Sequence, residues 1–117
     1  MNLDNQKREL LISLQEYLVR FMGGLKEIVL LFQQGEEQKS LEQMLDIIEG
    51  LAWISEAISL TQELYVTKLD IGRINEFLNQ LNFALENSDT VQIADIIEYE
   101  IIPIVTEWNE VINFINE

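Results

Sequence analysis

The sequence predicts an all-α protein, an antiparallel four-helix bundle built from two related helical hairpins, at about residues 4–66 and about 70–116. Three observations carry that expectation. The 117 residues are 48% hydrophobic but include only one Pro and five Gly, enough for a single core and too little turn material for an all-β fold. Apolar residues recur at intervals of three and four, the spacing of one helix face. The chain also echoes itself: Ser40–Glu49 slides onto Asp89–Glu98 by 49 positions and matches Gln43 with Gln92, Asp46 with Asp95, Ile47-Ile48 with Ile96-Ile97 and Glu49 with Glu98. Both segments open with a short oxygen side chain and place Gln three residues on, the pattern of a capping box.

The first helix is expected from a cap at Asp4 or Asn5 to about Gln34. Leu10, Leu14, Tyr17, Phe21, Gly24, Ile28 and Leu31 form one row; Leu11, Leu18, Leu25 and Phe32 form a second beside it. Gly24 falls on the apolar seam, where a close helix crossing or a kink would explain it. Gly35 stops the helix. The second helix is expected from near Ser40, or a turn earlier, to about Val66, with Met44, Ile47, Ile48, Leu51, Ile54 and Ile58 inward. Its other side carries Glu42, Asp46, Glu49, Glu56 and Glu63, with Trp53, Ala57, Leu60 and Leu64 next to them, so the helix is apolar on more than one side. After a break at Thr67–Asp70, a shorter third helix runs over about Ile71–Glu86, buries Ile74, Phe77, Leu78, Leu81, Ala84 and Leu85, and turns Phe83 outward. The fourth starts at Asp89 or Thr90 with an inward row of Ile93, Ile97, Ile101, Ile104, Trp108, Val111 and Ile115. Ile96, Tyr99 and Phe114 lie well round from that row, and Pro103 is expected to kink the helix or open a groove beside Tyr99. The short third helix would leave core at one end to be covered by a bent partner, a chain end or another molecule, which points to a homodimer.

Charge and composition narrow the function. The net charge is −14, and from Ile74 to Glu117 there are nine acidic residues and no basic one. Such a surface repels phosphate backbones and anionic lipid, so neither nucleic acid nor a membrane surface is an expected partner. A basic or amphipathic helical protein is the sharper reading of the charge; solubility is the simpler account of it. With no Cys and no His, disulfides, thiolate nucleophiles, histidine triads and the commonest transition-metal ligands are ruled out. No apolar run approaches the ~20 residues of a membrane span, and the start of the chain leads into an amphipathic helix, not a signal peptide, so a cytoplasmic location is expected.

One constellation could carry chemistry. Asp46 with Glu49 and Asp95 with Glu98, each three apart, put two carboxylates on one helix face. Brought together from two helices, the four could ligate Mg²⁺ or Ca²⁺ or serve a hydrolase as acid and base. Read plainly, the aspartates suit helix N-termini and the glutamates are solvated. Nucleotide-binding, zinc-protease, EF-hand and serine-hydrolase motifs are all missing. No cofactor is expected. Trp53, Tyr99 and Trp108 read as core or interface aromatics, not a stacking platform for bases.

The segment Phe83–Trp108, with Gly35-Glu36-Glu37 and Ile47–Trp53, resembles small acidic helical proteins of Gram-positive bacteria with no assigned function. Chain length, acidity, helix order and the Glu86-Asn87-Ser88-Asp89 turn before a last helix with Trp108 are similar to flagellin export chaperones, which would imply a chaperone-like binder of a helical client. The expected function is that of a non-catalytic interaction or assembly protein whose surface comprises Trp53, Leu60 and Leu64 with Glu49, Glu56 and Glu63. The alternatives are the chaperone-like binder and the carboxylate metal site or hydrolase.

Overall fold

The computed structural model describes the backbone of residues 3–65 and 69–115 and the side chains of residues 5–65 and 69–113. Four helices and no strand occur among the described residues. Helix α1 spans Leu3–Gln33, α2 Glu37–Thr61 with a short 3₁₀ turn at Gln62–Leu64, and α3 Gly72–Glu86. Helix α4 is continuous but not uniform: α-helical over Thr90–Ile96, π-helical over Ile97–Ile101 and α-helical again over Ile102–Ile115. The fold is all-α and elongated, 48 × 23 × 22 Å, with α1 along most of its length.

Local chemistry sets the helix ends. Gly35 has φ +77°, and the Gly35 and Glu36 amides turn back onto the carbonyls of Phe32 and Leu31 at 3.2 and 2.9 Å, a glycine-terminated helix stop. The α3–α4 turn repeats that geometry without glycine. There Ser88 takes φ 50°, and the Asp89 amide reaches the Ala84 carbonyl at 2.9 Å. Asp89 Oδ1 then accepts from the Gln92 amide at 3.0 Å and caps α4. Asp70 Oδ1 accepts from the Gly72 amide at 3.0 Å just ahead of α3.

The cap expected at Ser40 and the expected extent of α2 at its far end need correction. Helix α2 begins at Glu37, a turn before Ser40. Ser40 is therefore inside the helix and buried, its hydroxyl donating to the Glu36 carbonyl at 2.8 Å instead of capping. Helix α2 also stops at Thr61; the expected end at Val66, like the break residues Thr67 and Lys68, lies outside the described residues, as does the Asp4 side chain. Thr61 is buried at this stop, donates to the Ala57 carbonyl at 2.8 Å and shares a hydrogen bond with Tyr65 Oη.

One hydrophobic cluster draws residues from all four helices. Helix α1 supplies Leu11, Leu14, Leu18, Phe21, Leu25 and Ile28, and α2 supplies Met44, Ile47, Leu51, Ile54 and Ile58. Ala57, expected beside the acidic row, is buried as well. In α4 the buried arc is wider than expected and includes Ile96, Val105 and Ile112, while Val111 is only half-buried. The cause is packing on two sides, against α1 and α3, together with the extra residue that a π turn inserts. Ile115 and Phe114 lie outside the described side chains. Tyr99 and Phe83 are exposed. The end left bare by the short α3 is partly covered by the α2–α3 connection, where Tyr65 and Leu69 are buried and Gln62 Nε2 donates to the Leu69 carbonyl at 3.1 Å.

The π turn answers the question raised by Pro103. An imide nitrogen cannot donate to the carbonyl four residues back, and its ring crowds that carbonyl. The helix widens immediately before it, with the Ile102 amide bonded to the Ile97 carbonyl five residues back.

Candidate functional site

The close approach of α1 and α2 occurs at Gly50. A Cβ there would lie 2.5 Å from Tyr17 Oη and 2.7 Å from Phe21 Cε1, so the α1 rings fill the space a side chain would need. The crossing expected at Gly24 is not found: a Cβ at Gly23 or Gly24 would meet nothing within 4 Å. Gly24 is half-buried; which glycine is crowded depends on the opposing helix, and the α1 rings come to Gly50.

Around that contact lies a cleft of ≈ 500 Å³. Ser13, Tyr17 and Arg20 line it from α1, and Asp46, Glu49, Gly50 and Trp53 from α2. The Trp53 and Tyr17 rings meet edge to face with centroids 5.1 Å apart. Arg20 stands over the Tyr17 ring, 5.8 Å from its centroid. Burial raises the Tyr17 phenol above its ordinary pKa of 10.0; Arg20 opposes the rise, and Asp46 and Glu49 add to it. The cleft thus joins two aromatic rings, one cation and two carboxylates at the rim of the core.

The sequence-expected residues are placed as follows. Trp53 is 37% exposed and Leu60 54% exposed, both on α2 outside the core. Leu64 is half-buried and packs against the core instead. Glu49, Glu56 and Glu63 are exposed, and Glu63 forms an ion pair with Lys7. The acidic pairs do not come together. Asp46 and Glu49 face the α1–α2 cleft, whereas Asp95 and Glu98 line a separate hollow of ≈ 190 Å³ with Phe32 and Gln33. Among the described residues no group of three or more acidic side chains is placed to hold a metal ion. Helices α2 and α4 each pack mainly on α1, so α1 keeps the two pairs apart. The convergence that a four-carboxylate metal site or hydrolase required is therefore corrected.

Sequence reasoning found the α2 half of the cleft and missed the α1 half. In the sequence Tyr17 belongs to the apolar row of the first helix, and nothing in that row singles out Arg20. The available signal was their spacing of three, which puts an aromatic and a cation on one flank of α1.

Among the described residues no helix is long and apolar enough to cross a membrane. No curated protein and no solved structure matches the chain. A family described as a domain of unknown function, DUF8042, matches residues 9–111, and the chain belongs to that family.

Proposed function

We propose that this protein is a non-catalytic interaction or assembly protein, a cytoplasmic antiparallel four-helix bundle of two related hairpins, whose α2 face receives a basic, amphipathic helical partner. The observation that carries the reading is the pairing of exposed apolar with exposed acidic side chains along α2: Trp53 and Leu60 beside Glu49 and Glu56. An apolar strip beside a row of carboxylates suits a helix with Leu-type residues on one face and Lys or Arg alongside. The bundle topology is supported by three contacts. Lys7 meets Glu63, Tyr17 meets Gly50 and Trp53, and Gln15 Nε2 donates to the Ile112 carbonyl at 3.1 Å. From Lys7 to Tyr17 along α1 the contact falls back from Glu63 to Gly50, the order of an antiparallel pair.

The two tryptophans provide the assay. Trp108 is buried and Trp53 is partly exposed, so a change in the red-shifted part of the emission reports the α2 face. Titration with Leu/Lys amphipathic helical peptides is expected to shift that emission to the blue, and Leu60→Glu to abolish the shift. No shift with such peptides, or an equal shift with Leu/Glu controls, overturns the reading. A chaperone-like binder would use the same face and differ in releasing its client.

A further inference from the structure

Helix α1 carries an apolar stripe that the fold does not use. Ile12, Val19 and Leu30 are 45%, 65% and 54% exposed. With Gly23, also exposed, they fall within an arc of about 40° at about 100° per residue. That arc is opposite the one that buries Leu14, Phe21 and Leu25. Gly23 is a poorer helix former than Ala would be at this position. Among the described residues nothing occupies the room it leaves, since a Cβ there would meet none of their atoms within 4 Å.

Charge selects the occupant. Helix α1 holds four basic residues (Lys7, Arg8, Arg20, Lys26) and four acidic ones (Asp4, Glu9, Glu16, Glu27), so the whole net charge of −14 belongs to the rest of the chain. Two copies repel each other across their acidic surfaces and approach with least opposition at α1. The spacing adds geometry. The intervals 12–19, 19–23 and 23–30 are 7, 4 and 7 residues, the same read from either end. A two-fold contact between oppositely running helices needs that symmetry: it sets Val19 against the partner's Gly23 and Ile12 against the partner's Leu30, with each valine filling the other copy's glycine gap.

We propose that a second copy of this chain docks on the outer face of α1 through Ile12, Val19, Gly23 and Leu30. This contact is distinct from the α2 face assigned above to a basic partner and does not depend on it.

The test is light scattering coupled to size exclusion over a dilution series, with circular dichroism to confirm folding. The wild type is expected at twice the 13.6 kDa chain mass, Val19→Glu at the single mass with unchanged helicity, and Leu60→Glu still at twice the mass. A monomeric wild type, a dimer that survives Val19→Glu, or one lost only in Leu60→Glu overturns the proposal. Because the chain has no Cys, introduced thiols are unique. Mixed Val19→Cys and Gly23→Cys copies are expected to form a disulfide faster than either variant alone. Faster Val19→Cys self-linkage would overturn the antiparallel pairing.

Discussion

Ser40–Glu49 and Asp89–Glu98 are nearly the same sentence used in two places, and the fold reads them differently. Two inward pairs agree, since Met44 and Ile93 are both buried, as are Ile47 and Ile96, but Ile48 is half-buried where Ile97 is fully buried. Their openings disagree. Asp89 caps α4, whereas Ser40 is swallowed by α2 because Glu37-Gln38-Lys39 extend the helix backwards, while Asn87-Ser88 closes off the corresponding extension of α4. Their ends disagree too. Beyond Glu49 comes Gly50, pressed against Tyr17 and Phe21; beyond Glu98, inside the π turn, comes Tyr99, exposed. The shared pattern thus secures burial at two positions in each segment, while the flanking residues decide caps, crossings and helix type.

The comparison can be broken at its strongest point first. Met44→Ala and Ile93→Ala each remove a fully buried side chain and are each expected to cost about 2–5 kcal/mol in urea unfolding. A gap between them larger than that range would mean the two segments do not share a packing role. Next comes the position where the copies part. Gly50→Ala forces Tyr17 and Phe21 aside and should cost about 1–3 kcal/mol, whereas Tyr99→Ala should stay within about 0.5 kcal/mol. The caps should differ by less. Asp89→Ala removes the acceptor for the Gln92 amide at a cost of about 1 kcal/mol. Ser40→Ala exchanges a local hydrogen bond for better helix propensity and should change stability by less than about 0.5 kcal/mol.

The smallest effect is electrostatic and belongs to the first copy alone. Asp46 and Glu49 help to hold the Tyr17 phenol neutral, so Asp46→Asn with Glu49→Gln should lower its pKa, and Arg20→Gln should raise it. Ultraviolet titration of the phenolate, with Tyr17→Phe to assign the step, measures both. Tyr17 and Tyr65 both ionise above 10.0 in the folded chain, chiefly because they are buried. A raised pKa stabilises the fold fully below the unfolded value and is lost as pH climbs through the folded one. Thermal stability should therefore decline above about pH 10, less steeply in Tyr65→Phe.

Much of the fold was legible because helices announce themselves. The stop at Gly35, the cap at Asp89, the inward rows of α2 and α3 and the exposure of Trp53, Leu60 and Phe83 all follow from spacing and terminal residues. What was not legible depends on neighbours. A periodicity gives the centre of a buried arc and not its width, so Ile96, Ala57 and Val105 were lost to the number of helices packed around them. The crowded glycine was misplaced from Gly50 to Gly24 because both occur on apolar rows and only the opposing rings tell them apart. The candidate site was half visible for the same reason: α2 shows its outward residues in its own sequence, but Tyr17 and Arg20 matter only once α2 lies beside them.

Pro103 has a consequence for the timing of the whole last helix. A helix with one residue too many can in principle carry the surplus at any turn and let it wander, rotating everything downstream as it goes. A proline settles the matter, since the turn before it cannot close in the ordinary way. The surplus stays at Ile97–Ile101, and the phase of every later residue is locked to it. With that phase Trp108 comes round to the interior. The residue that looks like a defect in α4 is its clock.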